Sequence, residues 1–157
     1  MSAPKPVRIL QAAGARAAVI NQAAGYYTDI GCDVVLARFE PAAPDGVPCL
    51  RLWLQPRTLQ QDGNTGQRVA QQLIVAGYDM IGTAEPEVRG QQILADIQRA
   101  MELPDTGLGN LLLIGPGDGG LSWQADRVVY EEGSSVVCGQ VAYAIPHRRK
   151  AGDPEIA

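Results

Sequence analysis

Residues 85–103, EPEVRGQQILADIQRAMEL, carry the clearest helical pattern in the chain. Apolar or small residues recur there at the spacing that lines one face of an α-helix. These residues are Gly90, Ile93, Leu94, Ile97, Ala100 and Met101. The polar residues that fall on the other face are Gln91, Gln92, Asp96, Gln98, Arg99 and Glu102. Pro86 suits the first turn of a helix and Pro104 ends one, so the pattern predicts an amphipathic helix that lies on a β-sheet.

Short apolar runs on both sides of this helix predict the strands of that sheet. The predicted strands are residues 32–39, 50–55, 68–80, 110–114, 121–130 and 136–145. Residues 7–24, which are rich in alanine, predict a first helix. The order of helices and hairpin strands indicates an α+β fold class, with a mixed, mainly antiparallel β-sheet and two helices packed on it in a single domain.

Three segments lack an apolar period and are predicted to lie outside this core. Residues 1–6 contain two prolines and predict a flexible N-terminal arm, and residues 147–157 predict a polar C-terminal tail. Residues 55–67 contain the turn sequence DGNTG, which predicts a long exposed hairpin loop. Because polar segments attached to apolar strands often bind partners, we expect the loop and the tail to contact neighbouring proteins and to contribute little to the fold.

The charge of the chain disfavours nucleic-acid binding. The formal net charge is −4, whereas proteins that hold nucleic acid through phosphate contacts are basic. Residues 1–25 carry three bases and no acid, and residues 26–145 carry seven bases and fifteen acids. Charged residues make up 19% of the chain, below the roughly 25% of an average soluble domain. This low fraction favours protein partners for the uncharged surface.

The three cysteines and the single histidine do not form a recognisable catalytic or metal-binding pattern. Cys32, Cys49 and Cys138 lie far apart in apolar runs, which predicts buried, reduced thiols. Without a C-x-x-C pair or a second histidine, neither a zinc site nor a disulfide framework is predicted. The enzyme hypothesis that remains for these residues is a hydrolase in which Cys138 and His147 act together.

Residues 115–120, GPGDGG, match the G-x-G-x-x-G pattern of dinucleotide-binding proteins. That site requires a helix directly after the glycines, because the helix N-terminus receives the pyrophosphate. Residues 121–130 have a strand-like pattern instead, so the glycines predict a turn with positive φ angles. A small nucleotide-binding α/β protein is the second enzyme hypothesis, but the sequence predicts no catalytic residue, no cofactor and no metal.

Four stretches of the sequence resemble the tail-terminator, or tail-completion, proteins of long-tailed bacteriophages, which are related to minor tail protein U. The stretches are YTDIG at 27–31, ILADIQRA at 93–100, EGSS at 132–135 and GDP at 152–154. They are spread from residue 27 to residue 154, so the resemblance extends over most of the chain. The sequence departs from the family in residues 55–67 and 115–123, which are longer than the resemblance implies.

The resemblance implies a structural protein of the virion rather than an enzyme. Six copies would form a ring on the head-proximal end of the tail tube, stop the growth of the tube protein and present a surface to the head-tail connector or stopper protein. DNA would pass through the lumen without specific binding, because an acidic lining does not attract phosphates. Synthesis in the host cytoplasm is implied, and no run approaches the ~18 apolar residues of a membrane span. Another connector or stopper ring protein is the alternative.

The residues expected to contact neighbouring proteins lie on one strand, the loop and the tail. Trp53 alternates with the leucines of residues 50–55, so it lies on the side of the strand away from the core. Aromatic residues in such positions are favoured in subunit contacts. The remaining predicted contact residues are polar or basic: Arg57, Gln60, Arg148, Arg149 and Lys150.

Replacement of Ile97 by aspartate tests the orientation of the helix at residues 85–103. The substitution Ile97→Asp would place an unpaired carboxylate in the core, at a cost of several kcal/mol against a total stability of roughly 5 to 15 kcal/mol. We therefore expect insoluble protein on expression. A soluble variant that melts at the wild-type temperature, as measured by circular dichroism, would contradict the predicted buried face.

Overall fold

The computed structural model describes residues 3–37, 46–61, 66–105, 107–109, 111–115 and 118–149. Within these ranges the chain forms two α-helices, α1 (Lys5–Ala17) and α2 (Pro86–Glu102). The strands are β1 (Val34–Ala37), β2 (Cys49–Leu54), β3 (Thr58–Gln61), β4 (Gln67–Ala70), β5 (Gln72–Met80), β6 (Ile114–Gly115), β7 (Asp118–Gly119), β8 (Ser122–Tyr130), β9 (Val136–Ala144) and β10 (His147–Arg149). Neither described helix is long and apolar enough to cross a membrane.

A five-stranded sheet forms the centre of the fold, in the order β1-β2-β5-β9-β8. β1 is parallel to β2, and the other neighbouring strands in this sheet are antiparallel. Residues of both helices and of β2, β5 and β9 form one buried apolar cluster, which includes Ile9, Leu50, Val75, Ile97 and Val141. The predicted α+β class, a mixed and mainly antiparallel sheet with two helices packed on it, is confirmed.

A three-stranded sheet, β10-β4-β3, continues from the central strands. β5 pairs with β9, and β4 pairs with β10 in the same register, with Val69 opposite His147. Between the two sheets the N–H of Ile145 donates to the carbonyl of Gln71 (3.0 Å), and Pro146 has no N–H to donate. β4–β5 and β9–β10 therefore form one long ladder with a single break. We call β3, β4 and β10 the arm sheet.

α2 buries the predicted apolar stripe, and it also buries Asp96. The pattern places Asp96 on the exposed face, and that prediction is wrong, because the residue is only 2% exposed. Its carboxylate accepts hydrogen bonds from the backbone N–H groups of Tyr27 (3.0 Å) and Thr28 (2.8 Å) and from the Thr28 hydroxyl (2.7 Å). These three donors offset the cost of burying the carboxylate, so Asp96 holds Tyr27 and Thr28 against α2.

The first helix differs from the prediction at both ends. It begins at Lys5, inside the predicted arm of residues 1–6, and it ends at Ala17 instead of residue 24. Pro6 stands in its first turn, where a fixed φ favours the start of a helix. The side chain of Asn21 accepts a hydrogen bond from the N–H of Ala24 (2.8 Å) and starts a separate 3₁₀ turn. An asparagine side chain competes in this way with the hydrogen bonds of a continuing helix.

The predicted loop and tail both contribute strands to the arm sheet. β3 lies inside the predicted loop, and β10 begins the predicted tail. His147 is fully buried, with an exposed fraction of 0%. The expectation that both segments contribute little to the fold is wrong for Thr58–Gln61 and His147–Arg149, because both pair with β4. Residues 62–65 and 150–157 lie outside the described residues.

The other strand predictions vary in accuracy. β8 and β9 match the predicted strands to within one residue, whereas Gln71 divides the predicted strand at 68–80 into β4 and β5. In the glycine-rich segment, β6 pairs with β7 and Gly120 has a φ of 68°, which confirms a turn with positive φ. The strand β8 follows these glycines, so the helix that a dinucleotide site needs is missing at this place.

α2 lies against the sheet where two glycines face each other. Gly77 of β5 is opposite Gly139 of β9. A Cβ atom added at Gly77 would lie 2.6 Å from Ile93 Cγ2, and one added at Gly139 would lie 2.8 Å from the same atom. Because ordinary carbon contacts are about 3.5–4.0 Å, Ile93 occupies the space of both missing side chains. A Cβ atom added at Gly90 of α2 would lie 2.4 Å from Val128 Cγ1, so Val128 likewise occupies the space of a missing side chain.

Replacement of Gly77 by alanine tests this contact. Gly77→Ala would push a methyl group into Ile93 and Ile30, so we expect the free energy of unfolding to fall by about 1 to 3 kcal/mol. Gly46→Ala is the matched control, because no described atom lies within 4 Å of a Cβ there, and its effect should stay within about 0.5 kcal/mol. Equal stability of the two variants in urea denaturation would contradict the close packing.

Candidate subunit interface

The face of the five-stranded sheet that lies away from the helices is apolar at its centre. Alternate residues of β2, β5 and β9 point to this face, because side chains alternate along a strand. They form a second buried cluster of Trp53, Ile74, Ala76 and Cys138, against which Ala37, Tyr78 and Ala142 pack. No helical residue of the described ranges belongs to this cluster. We call this surface the open face.

The margin of the open face exposes apolar side chains. Val35 is 40% exposed, Met80 46% and Val129 45%. The edge strand β8 exposes two aromatic residues on its other side, Trp123 and Tyr130, because they pair with Tyr143 and Val137 of the helix-side cluster. Exposed apolar groups beside the edge of a sheet favour association with another protein or with another copy of the chain.

Two cavities adjoin the open face and the arm sheet. The smaller, of about 200 Å³, lies beside Trp53 and Arg127. The larger, of about 420 Å³, lies between the arm sheet and β8 and is lined in part by five glutamines: Gln55, Gln60, Gln71, Gln72 and Gln124. Amide groups bind polar partners but do not exchange protons at neutral pH. Across the described parts of the chain, no group of three or more His, Cys, Asp or Glu side chains could hold a metal ion.

Basic residues gather where the arm sheet meets the N-terminus of α1. Arg148 of β10 lies directly opposite Arg68 of β4. Lys5, in the first turn of α1, is only 4% exposed. Burial lowers the pKa of the Lys5 amino group, and the positive charges of Arg8 and Arg148 lower it further. The N-terminus of α1 and β10 are therefore close enough for their charges to interact.

His147 is buried beside these bases. Its Nε2 lies 2.9 Å from Oε1 of Gln71, and the amide nitrogen of Gln71 donates to the carbonyl of Gln55 (2.8 Å). This arrangement makes His147 Nε2 the donor, while Nδ1 is buried without a hydrogen-bond partner among the described atoms. Burial, followed by the positive charges of Lys5 and Arg57, lowers the pKa of His147 to about 4. His147 is therefore neutral near pH 7. We call the surrounding bases the basic end: Lys5, Arg8, Arg57, Arg68 and Arg148.

The structure separates Cys138 from His147. They lie nine positions apart along β9 and β10, which is about 30 Å at the rise of an extended strand. Burial raises the pKa of Cys138 to about 11, so it is a protonated thiol near neutral pH. Cys49 is buried as predicted, whereas Cys32 is exposed, which contradicts its prediction. The two residues of the Cys-His hydrolase hypothesis are not brought together.

The predicted contact residues fall in different places. Arg57 and Arg148 belong to the basic end, and Gln60 lines the larger cavity. Trp53 is 2% exposed and lies in the open-face cluster, so the single subunit already buries it. The described residues do not include the side chain of Arg149 or any part of Lys150.

Sequence reasoning missed three residues of the basic end, Lys5, Arg8 and Arg68. A signal for two of them exists, because Lys5 and Arg8 are three positions apart and so share one side of a helix that begins early enough. Arg68 has no local signal. Its position opposite Arg148 depends on the register between β4 and β10, which are far apart in the sequence.

No protein-family model matches this chain, and no curated protein matches it. Among solved structures, the chain is similar to one chain of the virion of a native gene transfer agent (GTA) particle. The TM-score is 0.48 and the sequence identity 14%, over 76% of this chain and 81% of that chain. This similarity assigns no family and transfers no residue role.

The buried His147 predicts a stability that falls in mild acid. Its pKa of about 4 in the folded chain lies below the ordinary 6.5, so the unfolded chain takes up a proton first. The contribution of neutral His147 to the free energy of unfolding is fully present above pH 6.5. It is lost as the pH falls from 6.5 to about 4, and the loss amounts to about 3 kcal/mol. In His147→Gln this titration is removed, so urea denaturation should show a shallower pH dependence than in the wild type. Parallel profiles would contradict the buried neutral imidazole.

Proposed function

We propose that this chain is a structural protein of a phage-like virion, which forms a ring of six copies, ends the growth of the tail tube and provides the surface for joining the head. The observation that carries the proposal is the contact between two of the stretches that resemble tail-terminator proteins. Asp96, within ILADIQRA, accepts hydrogen bonds from Tyr27 and Thr28, at the start of YTDIG. Two family-like stretches thus meet in one buried polar contact, which supports reading them as parts of the same fold.

The surface of the subunit supports assembly into a larger structure. Val35, Met80 and Val129 expose apolar side chains at the margin of the open face. A closed ring would bury such groups, because every subunit contacts two neighbours through the same pair of surfaces. The partners in this proposal are other copies of the chain, the tail tube protein and a head-tail connector or stopper protein.

The charge of the chain supports the passage of DNA through such a ring. A net charge of −4 on each subunit gives the assembly an overall repulsion for phosphates, so DNA would pass without being held. The proposal places the protein at the head-proximal end of the tail, after synthesis in the host cytoplasm. It includes no catalytic step and no cofactor.

Sedimentation velocity and negative-stain electron microscopy of the purified chain test the proposal. We expect one closed ring of six copies. Added to polymerising tail tube protein, the ring should limit tube length and be visible at one tube end. Rings that leave tube growth unchanged would contradict the terminator role and favour a connector or stopper protein. A chain that stays monomeric and does not bind tubes would contradict the whole proposal.

Two valine variants separate the open face from the helical face. Val129 lies at the margin of the open face and Val88 on α2, and both are about half exposed, at 45% and 51%. Val129→Asp should prevent ring formation, because the carboxylate would be buried between subunits, whereas Val88→Asp should not. Both variants should melt near the wild-type temperature. Loss of rings in both variants, or in neither, would contradict a subunit contact at the open face.

A further inference from the structure

The two cavities beside the open face adjoin each other. Gln55 lines both of them. The smaller cavity lies beside Gln140 and Ala142 of β9, and the larger one continues from Ala144 to Pro146. An extended strand rises roughly 20 Å over these six positions, which is room for about six residues of an extended segment. We call the two cavities together the groove.

The larger half of the groove is suited to a polypeptide backbone. Its glutamine side chains carry amide groups, which both donate and accept hydrogen bonds. The amide nitrogen of Gln72 donates to Oε1 of Gln124 (2.6 Å). The oxygen of the first amide and the nitrogen of the second can therefore bind an occupant. A peptide backbone offers the matching N–H and C=O groups, and the small side chains of Ala70 and Ala144 leave space for it.

The smaller half of the groove is suited to an apolar side chain beside a carboxylate. Trp53 and Ile74 supply apolar surface there, and Arg127 lines the same cavity. Nε of Arg127 donates to Oε1 of Gln140 (2.6 Å), and the guanidinium has further N–H groups for another acceptor. Nε1 of Trp53 is buried without a hydrogen-bond partner among the described atoms. An oxygen atom that reached it would remove the cost of an unpaired buried donor.

We propose that residues 150–157 of one copy of this chain lie in the groove of a second copy. This inference rests on the proposed function and names the segment that joins the copies. The segment, KAGDPEIA, follows β10 and lies outside the described residues. Its eight residues span at most about 27 Å, which is longer than the groove. Glu155 supplies a carboxylate for Arg127, and the adjacent Ile156 supplies the apolar side chain for the surface of Trp53.

The position of the last described residue, Arg149, favours a second copy over the same chain. Glu155 follows it by six residues, which is at most about 20 Å of chain. Arg127 lies opposite Gln140, nine positions before Arg149 along β9 and β10, which is about 30 Å at the rise of a strand. The segment would also have to reverse its direction. Glu155 therefore falls short of Arg127 within one subunit.

Reversal of the two charges, alone and together, tests the inference. Arg127→Glu and Glu155→Arg should each weaken self-association at least about tenfold, because each places like charges together in the groove. The double variant should restore rings. An equimolar mixture of the two single variants should restore them too, because alternating copies pair each altered segment with an altered groove. Sedimentation velocity measures the assemblies, and all variants should melt near the wild-type temperature, because Arg127 is exposed.

Arg127→Lys with Glu155→Asp is the matched control, since it keeps both charges and should keep the rings. Wild-type rings whose single variants also assemble would overturn the inference and leave the proposed function standing. Single variants that lose their rings and regain them in neither combination would do the same. Rings in the double variant but not in the mixture would assign the segment to the groove of its own subunit. A wild-type chain that forms no rings would overturn both proposals.

Disulfide cross-linking tests the position of the segment directly. Ala125 lines the smaller half of the groove. In a chain with Cys32→Ser, which removes the exposed thiol, Ala125→Cys with Ile156→Cys should form covalent multimers on oxidation. Gly46→Cys with Ile156→Cys is the control, because Gly46 is exposed and does not line the groove. Equal cross-linking of the two pairs, or a cross-link confined to single chains, would overturn the inference.

Discussion

Ile93 packs into the space that the glycine pair Gly77 and Gly139 leaves open, and this contact positions α2 on the sheet. These glycines lie on β5 and β9, two inner strands of the five-stranded sheet, so the contact sets the height of α2 above the middle of the sheet. At that height the buried stripe of α2 joins the inward residues of the strands and of α1 in one cluster. Because interiors are close-packed, a side chain in place of either glycine would move the whole helical layer.

The polar side of α2 binds residues 25–28, which precede β1. Asp96 accepts three hydrogen bonds from Tyr27 and Thr28. One turn later, the guanidinium of Arg99 donates to the carbonyl of Gly25 (2.9 Å) and lies 4.5 Å from the ring centre of Tyr26. The buried Asp96 and the exposed Arg99 thus both bind the segment that precedes β1. The helix α2 therefore packs on the sheet through its apolar stripe and binds the segment before β1 through Asp96 and Arg99.

Because both helices occupy one face, the subunit presents the other face and the two ends of the ladder to its surroundings. The open face exposes apolar groups at its margin, and the arm sheet places the basic end beside the N-terminus of α1. The break between the two sheets, at Gln71 and Pro146, lets the same strands serve both the core and the arm sheet. His147 occupies this junction as a neutral side chain, since a charged imidazole there would face bases and a low dielectric.

Periodicity alone was enough to predict α2 with its apolar stripe and the strands β8 and β9, because it is a local signal of which residues avoid water. Of the candidate site the sequence indicated Arg57 and Arg148 as separate contact charges in a loop and a tail. The fold turned parts of those segments into strands, and the register between β4 and β10, which joins residues about eighty positions apart, brought Arg148 near Lys5. Arg57 came close to His147 in the same fold. The burial of Asp96 was decided in the same way. A polar residue at the edge of a stripe is buried only when a distant segment supplies its hydrogen-bond donors.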